Sequence, residues 1–371
     1  MPVLVPEFKL KLGRCTVKAV SNIRVTLSRK LLCDVAEIEL PLLAETDLSK
    51  LKEGGAATGG EVEISLGWEG AEPEPVFTGV ITEVLPNQPL VIKCEDHGHA
   101  LKTTRFQKTF KKANIGPLGG PETWYSEIAA YAIAQAGLTP EISDLYVGTA
   151  SDDIVDKSVT IDHQTCMQVM EKLRENGWDS FCIPCTKEFY YGPDHPWAYG
   201  VLKQDRTFKF SFKDLRVLGK IEYAPIIAPQ GFKFTPGDKI GKVIVHLVNS
   251  EFTKPAVHGE HPPKGEGGEP VKEFSITGSY EKKEDGEEKA ATLARNLYYK
   301  YNAPSIEGAI KIFGNQFIKH SEQVMVRDPD HPERCGPGQD LSFVIDEVVH
   351  EFGPSVGFKT SLTLCQKQEK R

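Results

Sequence analysis

Two five-residue stretches far apart in the chain carry nearly the same residues. Val80-Ile81-Thr82-Glu83-Val84 and Val344-Ile345-Asp346-Glu347-Val348 agree at four of five positions. A strand-like run lies upstream of each at a similar distance, Val62-Glu63-Ile64 by 18 residues and Val324-Met325-Val326 by 20. A further strand-like run follows each copy. Agreement in order and spacing is the mark of a duplicated unit, whereas chance likeness between two β-strands would carry neither. Period-two alternation supports the strand reading: in Glu61–Trp68, Val62, Ile64 and Leu66 alternate with Glu61, Glu63 and Ser65, one face dry and the other wet. The 33 Gly and 25 Pro exceed the usual share, as many short strands joined by turns require. The expected fold class is mainly β with an α/β insertion (α+β). It consists of two tandem small antiparallel β-barrels related by duplication, plus an inserted α/β domain.

The boundaries follow from changes of pattern. Residues 1–105 read as the first barrel, with strands over Thr16–Leu27, Asp34–Leu40, Glu61–Trp68, Phe77–Leu85 and Leu90–Cys94. Residues 106–215 read as the α/β insertion. It has one helix over Glu122–Gly137 and a second over Asp162–Asn176, with Asp162 as its cap and Cys166, Val169, Met170 and Leu173 as its apolar stripe. A hairpin is expected over Phe181–Tyr191. Residues 216–371 read as the second barrel, with strands at Lys239–Asn249, Val324–Val326, Ser342–Val349 and Gly357–Leu364. A helix over 287–301 presents Ala290, Leu293, Ala294, Leu297 and Tyr301 on one face. The Gly- and Pro-rich stretch 253–270 reads as a mobile loop.

Lys and Arg number 44 against 52 Asp and Glu, a net charge of −8. A protein that holds a row of phosphates carries the opposite sign, so stable nucleic-acid binding is disfavoured. No stretch reaches the ~18 consecutive apolar residues of a membrane-spanning helix. The start, MPVLVPEFKLKLGRC, lacks the basic, apolar and small-residue order of a signal peptide, and synthesis in the cytoplasm is the expectation. The cysteines at 15, 33, 94, 166, 182, 185, 335 and 365 are scattered through a chain long enough to build a core, which fits reduced, mostly buried thiols.

Catalytic signatures are missing: there is no G-x-S-x-G, Walker loop, H-E-x-x-H or G-x-G-x-x-G after a strand. Four constellations carry chemistry-bearing residues. Cys182-Ile183-Pro184-Cys185 has redox spacing but sits in a strand-like run, not at a helix N-terminus, and has no second pair to complete a zinc site. His97-Gly98-His99 with Glu95 and Asp96 lacks a third ligand at diagnostic spacing. His258, Glu260 and His261 lie in the Gly/Pro stretch. Pro-Asp-His-Pro at 193–196 and again at 329–332 reads as turns. Glu83 and Glu347, equivalent in the two copies, read as solvated strand glutamates rather than an acid pair. No catalytic, cofactor-binding or metal-binding residue is expected, and no cofactor.

The C-terminal runs ARNLYYKYN (294–302), EGAIKIFGNQFIKHSEQVMVRD (307–328) and FVIDEVVHEFGPSVGFKTSLTL (343–364) resemble the late control gene D family of contractile-phage baseplate hub proteins. The same module forms the N-terminal part of VgrG spikes of type VI secretion and occurs in extracellular contractile injection systems. The run VTIDHQTCMQVMEKLRENGWDSF (159–181) is similar to that family too, and the likeness weakens in the first barrel. The resemblance implies a non-enzymatic, trimeric hub that joins a hexameric inner tube to a trimeric spike and adapts six-fold to three-fold symmetry. The implied partners are further copies of the chain, the tube protein, a spike and baseplate wedge components. The implied location is a phage tail or injection particle assembled from cytoplasmically made parts. The chain ends soon after Leu364 without a needle-like extension, which points to a spike on a separate polypeptide. Two other readings remain open. One is a carbohydrate- or receptor-binding tail protein using Phe189, Tyr190, Tyr191, Trp197 and Tyr199. The other is a cell-wall hydrolase or redox enzyme using Cys182, Cys185 or the acidic residues.

Overall fold

Alternation of apolar and polar residues does become strands. The computed structural model describes residues 5–41, 55, 57–70, 72–86, 88–110, 125–142, 159–174, 179–192, 208–211, 216–217, 220–221, 224–235, 239–249, 256–263, 265, 268–278, 283–302, 305–327 and 341–367. The first copy contributes β1 (Pro6–Leu12), the short β2 (Cys15–Val17), β3 (Asn22–Ser28), β4 (Val35–Leu40), β5 (Glu61–Trp68), β6 (Glu74–Leu85) and β7 (Leu90–Asp96). An α/β segment follows, with α1 (His99–Thr103), β8 (Arg105–Phe110), α2 (Tyr125–Gln135), β9 (Thr139–Ile142), β10 (Val159–Thr165), α3 (Cys166–Arg174), β11 (Asp179–Cys182) and β12 (Glu188–Gly192). The rest comprises β13 (Phe208–Ser211), β14 (Arg216–Val217), β15 (Lys220–Ile221), β16 (Ala224–Thr235), β17 (Lys242–Asn249), β18 (Val257–His261), β19 (Val271–Gly278), α4 (Lys283–Asn302), β20 (Ser305–Phe313), β21 (Gln323–Arg327), β22 (Leu341–Gly353) and β23 (Gly357–Lys367).

The two copies share one connectivity. In the large sheet the first copy runs β1-β5-β6-β7-β4-β3 and the second β13-β21-β22-β23-β20-β16. Ranked by chain order within each copy, both read first, fourth, fifth, sixth, third, second. The registers agree as well: Glu61 faces Val80 between β5 and β6, and Gln323 faces Val344 between β21 and β22. These are equivalent positions of the five-residue match. The second copy closes, because β16 returns to β13 and the six strands form a barrel. In the first copy β3 pairs instead with β22, from Ile23 opposite Phe352 to Ser28 opposite Glu347, so the copies form one continuous sheet. Their shared core contains Phe8 against Phe352 (5.2 Å between ring centroids) and Trp68 against Phe358 (5.5 Å). Trp68 Nε1 donates to the Gly314 carbonyl at 2.9 Å.

The structure differs from the sequence reading in several places. The first copy, expected as a barrel of its own, stays open, because its last strand pairs with β22 instead of returning to β1. The expected strand Thr16–Leu27 is broken into β2 and β3. The second barrel is not wholly antiparallel: β13 runs parallel to both β16 and β21. It enters from the α/β segment rather than through a hairpin, so no tight turn dictates its direction. Asp162 does not cap the helix but lies in β10. The cap is Thr165, whose Oγ1 accepts the Gln168 N–H (3.1 Å) while Gln168 Oε1 accepts the Thr165 N–H (2.9 Å), a reciprocal capping box. Within the expected loop 253–270, residues Val257–His261 form β18, paired antiparallel with β17.

By packing, the chain divides into two compact units, Met1–Gly231 with Gly308–Leu364, and Phe232–Glu307 with Cys365–Arg371. The second is built on β17, flanked by β18 and by the parallel β19, with α4 covering Val243, Val245, Leu247 and Val257 through Ala290 and Ala294. It occupies the position between the second and third strands of its copy, where the first copy has only the turn from Ser28 to Val35. Asn302 ties the helix end to the sheet: its Oδ1 accepts the Ile240 N–H at 2.6 Å and its Nδ2 donates to the Ile240 carbonyl at 2.9 Å. Gly259 is a contact residue here. A Cβ at this position would lie 2.0 Å from the Ala291 nitrogen. Gly259→Val is expected to destabilise this unit by about 1–3 kcal/mol. Hydrogen exchange would show it as lost protection over residues 240–302, with the β5–β7 strands unchanged.

Candidate functional site

The match between the copies fails at one position, Thr82 against Asp346. Thr82 is near the surface, its Oγ1 donating to the Lys93 carbonyl. Asp346 is buried and receives a side chain from the other copy. Arg29, in the turn between β3 and β4, donates from Nε to Asp346 Oδ1 at 2.6 Å, with both side chains about 5% exposed. Lys30 reaches Asp346 Oδ2 at 2.6 Å, and the Arg29 N–H donates to the Asp346 carbonyl at 3.1 Å. Arg174, at the end of α3, donates to the carbonyls of Arg29 (2.8 Å) and Lys30 (3.0 Å). One turn is thereby held by the second copy and by the α/β segment together.

Polar groups continue inward from this pair. Asp34 Oδ1 accepts the Ser28 N–H and Asp96 Oδ1 accepts the Gly98 N–H, each at 2.8 Å. Burial pushes both carboxyls above the ordinary carboxylate range, and the Asp96 charge raises Asp34 further. His320, in the turn before β21, is buried, packs edge-on against Phe181 (4.8 Å) and lies 3.8 Å from Asp34 Oδ2. Burial, then the nearby Arg29, hold its imidazole neutral, with its pKa lowered to about 3. His350 is likewise buried and lowered to about 4, its Nδ1 3.0 Å from Thr360 Oγ1.

The sequence-level candidates take structural places. Cys182 and Cys185 are both free thiols. Cys182 is buried and pushed well above its usual pKa by burial and by Asp96 and Asp34. Cys185 is pushed up to about 11, chiefly by burial, and its thiol donates to the Pro75 carbonyl at 3.4 Å. A redox pair needs the opposite shift. His97 and His99 diverge: His97 Nε2 meets Thr78 Oγ1, and His99 packs on Glu95 at 2.8 Å. Burial acts to raise the Glu95 pKa, but hydrogen bonds from Lys102 and His99 outweigh it and hold the carboxyl low. In the second unit His258 sits across from His246 on β17, His261 meets Tyr298 edge-on, and Glu260 pairs with Lys242. Glu83 pairs with Lys93, while Glu347 stands across from Ser28. Phe189, Tyr190 and Tyr191 are at most 1% exposed, so they are core side chains and form no exposed platform. Trp197, Tyr199 and both Pro-Asp-His-Pro segments lie outside the described residues. Among the described residues no cluster of three or more His, Cys, Asp or Glu is arranged to hold a metal ion. Sequence reasoning missed Arg29, Asp34, Asp346 and His320; the single mismatch within the repeat was the available signal for Asp346.

No protein-family model and no curated protein matches this chain. Solved structures do. A tail protein from Neisseria meningitidis is similar with a TM-score of 0.60 at 10% identity, over 98% of this chain and 97% of that one. The 43 kDa tail protein of prophage MuSo2 from Shewanella oneidensis gives 0.59 at 12%, over 96% and 97%. An Escherichia coli component of the type VI secretion system, itself described as similar to the T4 tail proteins gp27 and gp5, gives 0.52 at 11%, over 97% and 77%. The chain therefore shares the β-rich fold of these tail and type VI secretion proteins across nearly its whole length.

Removing one partner of a buried ion pair leaves an uncompensated charge. Asp346→Ala is expected to cost about 3–5 kcal/mol in urea unfolding, with most of the loss recovered in the Arg29→Met, Asp346→Leu double variant. The raised carboxyl of Asp96 has its own pH signature. A folded pKa near 7 against 3.8 unfolded contributes stability below pH 3.8 that is lost as pH rises through the folded value. Asp96→Asn keeps the acceptor for Gly98 without the titration. Its stability relative to wild type is expected to improve steadily from about pH 4 to pH 7 and then level off, as read from urea midpoints across that range.

Proposed function

We propose that the protein is a structural baseplate hub of a phage tail or phage-tail-like contractile injection system. In this reading three copies form a ring, and the two like-ordered sheets of each copy present six related surfaces. A six-fold inner tube docks on one side of such a ring and a three-fold spike on the other. The observation that carries the reading is the shared strand order and register of the two copies within one chain of tail-protein fold. Baseplate wedge components complete its partners, and its place is the assembled particle, after synthesis in the cytoplasm.

Its chemistry is that of assembly and not of turnover. The Cys182 and Cys185 thiols are pushed toward the unreactive protonated form, and the buried Asp34 and Asp96 carboxyls accept backbone N–H groups of their own turns. With a net charge of −8, nucleic acid could pass such a ring without being held by it. The carbohydrate-binding alternative loses its main support, since its three described aromatic residues are interior.

Light scattering and native mass spectrometry of the purified chain, alone and mixed with the tube and spike proteins encoded beside it, test this. The expected result is a trimer, formed alone or on addition of either partner, that binds both. A protein that stays monomeric and ignores both partners would sink the hub reading.

A further inference from the structure

The sheet of the second unit has one face under a helix and one open face. Along β17, Val243, Val245 and Leu247 are buried against α4, so the alternate residues Lys242, Ile244 and His246 stand on the other side. On β18, Val257 and Gly259 turn toward the helix, while His258 and Glu260 share the open side. On β19, Glu273 and Ser275 alternate with Phe274, which packs on the helix side. The antiparallel register sets His246 directly opposite His258, and their ring centroids are 6.5 Å apart. His258 is exposed, and the His246 side chain is 41% exposed.

Two imidazoles on neighbouring strands make a chelating pair. An ion bound at about 2.1 Å by each ring holds the two nitrogens about 3 Å apart. The rings reach that spacing by side-chain rotation, which exposed histidines make without moving the strands. Charge on this face favours a cation. Lys242 is balanced by Glu260 at 3.1 Å, and the Glu273 carboxylate lies 3.5 Å from His246 Nε2. Imidazole nitrogen selects the class of ion: Ni²⁺, Cu²⁺ and Zn²⁺ take it readily, whereas Mg²⁺ and Ca²⁺ demand oxygen ligands. Among the described residues no third His, Cys, Asp or Glu is arranged to complete the ligand set. The chain therefore offers two nitrogens and leaves the ion's other positions to solvent.

We propose that His246 and His258 form a two-histidine site for a divalent transition-metal ion, which clamps β18 to β17. Glu273 acts on the ion by charge and is not a ligand. The consequence is local. β18 is an end strand of its three-stranded sheet and pairs there with β17. An ion held by both strands resists their separation, because a ligand that binds the folded state alone stabilises it increasingly as its concentration exceeds Kd. No sequence motif joins the two histidines, which become neighbours only through the pairing of β17 with β18.

The proposal is independent of the hub reading, because it concerns one face of one unit. Calorimetric titration of the full, untagged, reduced chain with Ni²⁺ alone tests it. The expected result is a binding step of one Ni²⁺ per chain, with hydrogen-exchange protection gained over 242–249 and 257–261 and unchanged over β5–β7. His246→Ala and His258→Ala are each expected to weaken that step at least about tenfold, since removing even a supporting group from a metal site costs about 10–100-fold in affinity. Glu273→Gln, which removes a charge but no ligand, is expected to weaken it by less than either. No such step, a step that both histidine variants retain, or a Glu273→Gln loss as large as theirs would each overturn the two-histidine site. If His246→Ala does not fold, the wild type and the exposed-site variant His258→Ala decide.

Discussion

The buried pair of Arg29 and Asp346 is the constraint on which the larger unit depends. A charge taken out of water is tolerable only when its partner is at hand, and here the partners come from different copies of a duplicated strand pattern. The turn that carries Arg29 is also gripped by Arg174 through two backbone carbonyls. First copy, second copy and α/β segment are thus registered against one another by a few directional contacts. Apolar packing of Phe8 on Phe352 and of Trp68 on Phe358 joins the same copies, but it is less selective about angle. The ion pair supplies the alignment.

Duplication explains how one chain could come to contain such a junction. Two copies of one strand order begin as equivalents, and equivalent surfaces cannot bind each other asymmetrically until they diverge. Thr82 and Asp346 mark a point of that divergence: the same strand position is a surface hydroxyl in one copy and a buried carboxylate in the other. The edges diverged too. The second copy closes on itself through β13, whereas the first hands its last strand to β22, so the exposed sheet edge is replaced by pairing within the chain. Insertions fall where they disturb this least. The α/β segment follows the sixth strand of the first copy, and the second unit replaces a short turn of the second copy.

Much of this architecture was legible from residue pattern. Period-two alternation located the strands of the first copy, and the helix around Ala290 and Ala294 followed from its apolar stripe. The errors have physical causes. Asp162 looked like a cap because aspartate before an apolar stripe usually is one, but Thr165 with Gln168 satisfies two backbone donors at once and starts the helix later. The Gly- and Pro-rich stretch looked mobile because composition does not say why a glycine is present. Gly259 lies in a strand and makes room for a helix backbone, a packing role that flexible loops share only in composition. The buried charges of the junction were illegible one by one, since Arg29 and Asp34 are ordinary turn residues until something from a distant segment covers them.

By itself the sequence determined that the protein is mainly β, that it contains a duplicated strand pattern, and that an α/β segment separates the copies. Those properties reside in local periodicity and spacing, which depend only on how side chains alternate about a backbone. The tertiary structure alone decided that the copies share a continuous sheet, that one barrel closes and the other does not, and that His320 and His350 are buried in the interior. These depend on which groups lose water and which partners they meet, and groups 317 residues apart in the chain become partners only when the fold brings them together.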